Sequence, residues 1–222
     1  MKEIISYNDP KSVISEQYRA LRTSIQYSNV DKNMKTILVT SSDKNEGKTT
    51  TVVNLAVNFA NLDKKVLLID CDLRNPSVHK MFKMGNIYGF TDILVHNREM
   101  SKCIQKTEMK NLDILTAGSI PPNPAELLSS DSMKDLIEEL KKAYDYIFID
   151  TPPIGLVTDA GVLASFIDGT VLVVKSEGVE MKQLEESKKK LDSVNAKIIG
   201  AVLNSYKAQK NDYYYYSYYG DR

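Results

Sequence analysis

Cysteine and histidine are nearly missing from this chain of 222 residues, which carries two of each. Cys71 and Cys103 lie far apart and form no Cys-x-x-Cys unit. That spacing excludes a disulfide framework and a zinc site and suits a reducing compartment. His79 and His96 are too few for a histidine-based metal centre. Net charge is missing too, since 29 basic residues balance 29 acidic ones. A neutral chain offers no bulk electrostatic attraction to nucleic acid or to an anionic membrane. Residues 1–11 have no apolar core like that of a signal peptide. The longest apolar runs, such as 198–203, fall far short of the ~20 residues a membrane helix needs. The chain therefore reads as cytoplasmic, with any membrane association supplied by a partner.

What remains is an ordinary globular composition, 42% hydrophobic and 26% charged. A chain of this length fits one domain with tails and can bury roughly 70% of its unfolded surface without staples. Short β-branched runs at 36–40, 66–70, 112–115, 146–150, 170–174 and 197–203 read as strands. Being nearly continuous, they suit a parallel sheet covered on both faces. Helix-type spacing without proline occupies 49–62, 131–143 and 179–194 between them. The alternation predicts a doubly wound α/β P-loop NTPase fold, with helices on both faces and ligands at the carboxyl ends of the strands. The run Lys188-Lys189-Lys190 after Glu185 and Glu186 reads as a solvated helix face. Before the first strand, 12–28 reads as a helix that Ser12 can cap. The division expected is an N-terminal helical segment at 1–30, a core at 31–204 and a flexible tail at 205–222.

The strongest local signal is VTSSDKNEGKTTTVVNLA at 39–56. A strand ends, a loop follows, and Gly47-Lys48-Thr49 opens a helix. In that arrangement backbone N–H groups of Ser42, Asp43, Lys44, Asn45, Glu46, Gly47, Lys48, Thr49 and Thr50 line a phosphate cradle. Lys48 is placed to reach the β- and γ-phosphates of ATP, and the Thr49 hydroxyl to ligate Mg²⁺. Gly47 permits a backbone approach that a Cβ would block. The pattern departs from the P-loop consensus at Ser42, which fills the slot of the first glycine. Two further strands end in aspartate: Asp70, followed by Cys71-Asp72-Leu73-Arg74-Asn75-Pro76, and Asp150, followed by Thr151-Pro152-Pro153. A parallel sheet brings those ends to one edge, so Asp70, Asp72 and Asp150 are expected beside the phosphates held at Lys48. One or two carboxylates, Thr49 and the nucleotide suffice to hold Mg²⁺.

These motifs resemble those of the bacterial tyrosine kinases of capsule and exopolysaccharide synthesis, in the cytoplasmic Gram-positive form. The resemblance spans nearly the whole chain. It is carried by Glu16-x-x-Arg19-x-x-Arg22, the P-loop at 42–49, LLIDCDLRNP at 67–76, ILTAGSIPPNPAELL at 114–128 and YIFIDTPP at 146–153. It implies ATP and Mg²⁺ as cofactors, Asp70 as the group accepting the tyrosine proton, Asp72 near the metal, and Asp150 as a metal-associated carboxylate. Loss of the phenolic proton, with its pKa near ~10, is helped by such a base. Asn204 is similar in position to an adenine-contacting asparagine of related ATPases, or is an ordinary strand-end residue. Arg74 fits either a phosphate contact or a neighbouring subunit. The eukaryotic kinase signatures His-Arg-Asp and Asp-Phe-Gly are lacking.

Six of the last ten residues are tyrosines, Tyr213, Tyr214, Tyr215, Tyr216, Tyr218 and Tyr219. Consecutive aromatics do not follow the period of a buried helix or strand, and the resemblance makes them the phosphoacceptors, presented to a neighbour's active site. Added phosphates would repel each other and the acidic site. Glu16, Arg19 and Arg22 share one helical face about 120° wide. By itself such a stripe is an exposed, self-paired set of charges; the resemblance makes it the contact of a ring-like homo-oligomer of eight subunits. The same resemblance implies a transmembrane activator (a polysaccharide co-polymerase) that recruits the kinase to the inner face of the membrane, and a tyrosine phosphatase. Two other readings stay open. A positioning-type ATPase would carry a lysine where Asp43 stands, and Lys44 is one residue late. A nucleotide-gated scaffold would bind ATP without transferring phosphate.

Overall fold

The computed structural model describes residues 4–28 and 33–207. The tyrosine cluster at 213–219 lies outside the described residues, as does the rest of the tail beyond 207. The first strand, β1 (Thr36–Ser41), is buried at every position. Its side chains alternate between two cores, with Ile37 and Val39 on one face and Leu38 on the other. The same two-residue period splits β2 (Val66–Asp70) and the fifth strand, Tyr146–Asp150.

One face is covered by the helix that follows β1, Lys48–Ala60. Val52, Val53, Leu55, Ala56 and Phe59 of that helix pack on Leu68 and Phe148 of the sheet. The N-terminal helices Ile5–Asn8 (α1) and Val13–Ser28 (α2) lie against this helix, α3, through Ile4, Leu21 and Ile25. Ser12 caps α2 as expected, its Oγ accepting from Ser15 N at 3.2 Å. The other face is covered by Phe90–His96 (α5), Pro124–Ser129 (α7), Asp131–Ala143 (α8), Asp159–Ala164 (α9) and Met181–Ser193 (α10). Short helices at Val78–Phe82 (α4) and Met100–Cys103 (α6) complete the set.

The remaining strands are β3 (Ile104–Lys106), β4 (Leu112–Leu115), β5 (the fifth strand above), β6 (Gly169–Lys175) and β7 (Ile198–Asn204). The seven form one sheet in the order β3-β4-β2-β5-β1-β6-β7. Every pairing is parallel except β3 with β4. The P-loop NTPase fold expected from the strand–helix alternation is the fold observed, with each predicted strand present within a residue or two of its expected ends.

Two features depart from expectation. Ile104-Gln105-Lys106 joins the sheet although it is too short and polar to show a period; it is strand only by pairing antiparallel with β4. The apolar run at 198–203 was expected to be covered on both faces, yet β7 is half-exposed and Leu203 is 56% exposed. It is the last strand of the sheet, and α10 screens only part of it.

Candidate nucleotide site at the carboxyl edge of the sheet

Parallel pairing puts Asp70 directly opposite Asp150 on neighbouring strands β2 and β5. The same geometry brings the loop after β1 to that edge. Lys48 Nζ lies 3.2 Å from Asp72 Oδ2, and the Thr49 hydroxyl donates to Asp150 Oδ2 at 2.6 Å. Ser77 Oγ is 3.1 Å from Thr49 Oγ1, so a second hydroxyl joins the group. Nothing in the sequence singled out Ser77, which carries no motif signal of its own.

The acid-bearing loop after β2 is wound around its own carboxylates. Asp70 Oδ1 accepts from Asp72 N at 3.2 Å, and Oδ2 accepts from Ser77 N and Val78 N, both at 3.0 Å. Asp72 Oδ1 accepts from Asn75 N at 3.0 Å. Burial and the adjacent Asp150 push the Asp70 carboxyl up to about 8, against the pull of those backbone donors. Burial also pushes Asp150 up to about 6, although Lys48 and the Thr49 hydroxyl draw it down. Between them Cys71 is fully buried, and burial first, then the three aspartates, raises its thiol far above the reactive range.

The P-loop is shaped from within. Glu46, 2% exposed, folds back so that its Oε2 accepts from Ser42 N at 2.7 Å and Asp43 N at 3.0 Å. Those two N–H groups were expected to face phosphate; they are engaged by the loop's own carboxylate instead. Among the described residues, no hydrogen bond occupies the N–H groups of Asn45, Gly47 or Lys48, which leaves the second half of the loop open to an incoming acceptor. Ser41 Oγ donates to Asp43 O, and Lys44 N donates to Asp43 Oδ1. Thr50, in the first turn of α3, accepts from Asn54 Nδ2 at its carbonyl.

Gly47 has φ +90°, and a Cβ there would sit 2.0 Å from Asn204 Nδ2. Asn204, at the end of β7, donates that amide to Glu46 O at 2.8 Å. It therefore touches the P-loop backbone, and the chain leaves the core beside the candidate site. Arg74 reaches neither a P-loop residue nor open solvent alone: its guanidinium forks onto Asp159, with Nε and Nη2 each 2.9 Å from a carboxylate oxygen. The lysine run at 188–190 is exposed, as the solvated helix face expected, and from it Lys190 Nζ donates to Gly155 O at 2.6 Å. On α2, Arg19 pairs with Glu16 at the exposed surface, whereas Arg22 turns inward to Asn58 O at 3.3 Å.

Among the described residues no group of three or more His, Cys, Asp or Glu is arranged to hold a metal unaided. The donors nevertheless fit a magnesium ion that also takes nucleotide oxygens. Asp150 Oδ1 is buried without a partner, Thr49 stands beside Oδ2, and Asp72 pairs with Lys48. A cavity of about 650 Å³ near α9 and α10 is lined by Ile154, Leu156, Phe166 and Val194 and by none of these groups. The site is thus an open edge of loops.

A model of the AAA domain family matches residues 34–202. The chain is 46% identical over 221 residues to tyrosine-protein kinase YwqD of Bacillus subtilis (strain 168), covering all of this chain and 92% of the relative. Among solved structures, the chimerical protein CapA2B2 superposes with a TM-score of 0.90 at 36% identity, over 94% of this chain and 92% of that one. The kinase domain of the Escherichia coli tyrosine kinase ETK superposes at 0.89 with 32% identity, over 93% of this chain and 81% of that one.

Proposed function

The chain belongs to the bacterial tyrosine-protein kinases of capsule and exopolysaccharide synthesis, and on that footing we propose that it phosphorylates its own C-terminal cluster in trans, at Tyr213, Tyr214, Tyr215, Tyr216, Tyr218 and Tyr219. The observation that carries this reading is the meeting of Lys48, Thr49, Asp70, Asp72 and Asp150 at one strand edge, with Asn204 delivering the chain toward the tail from the same place.

In this reading ATP lies along the P-loop between Asn45 and Thr50, with its β- and γ-phosphates at Lys48. Mg²⁺, held by Thr49, Asp150 and Asp72, supplies neutralisation of phosphate charge when bound. Lys48 carries the charge of the transferring group. Asp70 takes the phenolic proton; with its carboxyl raised to about 8, it is a closer match to a phenol than an ordinary carboxylate is. Asn204, bonded to the P-loop at Glu46 O, is the adenine contact in this reading. Glu16 and Arg19, exposed on α2, form the self-association face, and Arg22 supports it from behind. A ring of eight subunits would place one tail at the next site. A transmembrane activator would recruit the ring to the inner membrane face, and a phosphatase would reset it. No helix among the described residues is long and apolar enough to cross a membrane.

The test is to incubate the purified chain with Mg-ATP and the cytoplasmic segment of its activator, then map phosphate by mass spectrometry. Phosphotyrosine within 213–219 that disappears in Lys48→Met supports the proposal. A Lys48→Met chain with an intact tail, mixed with a tail-truncated wild type, becomes phosphorylated if transfer is in trans. ATP hydrolysis with an unmodified tail would favour a positioning-type ATPase, and nucleotide binding without either would favour a scaffold.

A further inference from the structure

Two loops supply the acids of the site, and they are far apart in sequence. One runs from Asp70 to Val78 and carries Asp72. The other follows Asp150 and ends at Asp159, the first residue of α9. The second loop is pinned at its start: Thr40 Oγ1 donates to Pro152 O and Thr151 Oγ1 donates to Val39 O, both at 2.9 Å. Its middle is pinned where Ile154 N donates to Ser41 O at 2.9 Å and Lys190 Nζ donates to Gly155 O at 2.6 Å. Its far end is held by the Arg74–Asp159 fork, which among the described residues is the direct side-chain bridge between the two loops.

The chemistry of that bridge is unusual for a surface contact. The Asp159 side chain is 0% exposed and spends both oxygens on one guanidinium, while Arg74 stays 44% exposed. A buried ion pair adds little stability over a well-packed apolar pair, so its value lies in fixing geometry. Arg74 sits two residues beyond Asp72, whose carboxylate meets Lys48 at 3.2 Å. A planar fork fixes both distance and angle, so it sets where that stretch of loop can lie.

We propose that Arg74 and Asp159 are a positioning pair for phosphoryl transfer. The β2–β5 pairing already fixes Asp70 against Asp150; the bridge holds the stretch of loop beyond it, and so seats the Asp72 carboxylate against Lys48. Neither residue touches substrate in this account; both act through Asp72. The proposal rests on the kinase reading above.

The experiment compares Arg74→Lys, Arg74→Met, Asp159→Asn and the double variant Arg74→Met/Asp159→Asn in the full chain. It measures tyrosine phosphorylation, KM for ATP, ADP affinity, thermal melting and hydrogen exchange of the two loops. Expected are a fall in kcat of about tenfold to a hundredfold in Arg74→Met and an ADP affinity within about threefold of wild type. Arg74→Lys, which keeps the charge and loses the fork, should recover part of the rate. The double variant should be no slower than the slower single one, because both changes remove one bond. Exchange in 71–77 and 151–159 should rise together. If Asp159→Asn does not fold, the two Arg74 variants at the half-exposed partner carry the test. An unchanged kcat in folded Arg74→Met overturns the proposal. So does an ADP affinity that falls in step with kcat, which would put Arg74 on the nucleotide, or singles whose effects multiply. A wild-type chain that never phosphorylates tyrosine, with loop exchange still rising together in Arg74→Met, would sink the kinase reading and leave the bridge standing.

Discussion

The two ends of the parallel strands treat carboxylates in opposite ways. At the amino edge Asp168 accepts from Lys35 N and Thr36 N at 3.0 Å and from Thr36 Oγ1 at 2.8 Å, with Lys141 Nζ 3.3 Å away. Burial alone would raise its pKa, but those donors more than offset it and hold the carboxyl below its usual value. At the carboxyl edge Asp70 and Asp150 are fully buried, face each other across two strands, and are both raised. One Asp150 oxygen has no partner at all. The first arrangement is complete within the protein and serves the fold. The second leaves an acceptor unmet and two carboxyls raised, which suits it to the cation and the chemistry proposed for that edge.

The contrast can be broken most severely at Lys48. Lys48→Met should reduce tyrosine phosphorylation by about a hundredfold to a thousandfold, read by phosphotyrosine mass spectrometry, while the melting temperature stays near that of wild type. Asp168→Asn should do the reverse. It should cost about 1–3 kcal/mol of stability through lost charged hydrogen bonds, measured by denaturant unfolding, and leave ADP affinity unchanged. Acidity sharpens the comparison. Asp70 and Asp150 hold protons more tightly folded than unfolded, so their contribution is fully present below pH ~4 and is lost as pH rises through about 6 and about 8. Nucleotide-free protein should therefore melt at progressively lower temperature from pH 5 to 9 (thermal scans across buffers), and Mg-ADP should flatten that fall. Asp168, with its lowered pKa, contributes stability above pH ~4 that disappears on further acidification. Asp168→Asn should accordingly weaken acid denaturation and leave the alkaline slope intact. The smallest effect is expected for Asn204→Ala, which removes one 2.8 Å hydrogen bond to the P-loop. It should weaken ADP binding by about twofold to tenfold in a calorimetric titration.

Much of the carboxyl edge was legible because a repeating local pattern encodes it. Apolar runs ending in aspartate, set in a strand–helix alternation, bring Asp70 and Asp150 together once the strands are parallel, and Gly47-Lys48-Thr49 marks the loop between. Contacts without a local pattern were not legible. Arg74 and Asp159 are 85 positions apart and neither belongs to a periodic run. Glu46 looked like one more cradle residue, since nothing in its neighbours says whether its side chain turns in or out. The bond from Lys190 to Gly155 has no local signal either, since all three lysines of the run are exposed. The exposure of β7 escaped for a different reason: apolar content reports that a strand is in a sheet but not whether it is the last one. Arg22 shares a helical face with Glu16 and Arg19 by period, yet its length lets it bend to α3, a freedom that period arguments ignore.

Glu46 has a kinetic consequence. By closing the first turn of the P-loop on itself, it sets the loop's shape in advance, so that capture of the proposed triphosphate would require little ordering of the chain. Nucleotide entry should then run at a rate governed by encounter, and turnover by how fast spent ADP escapes.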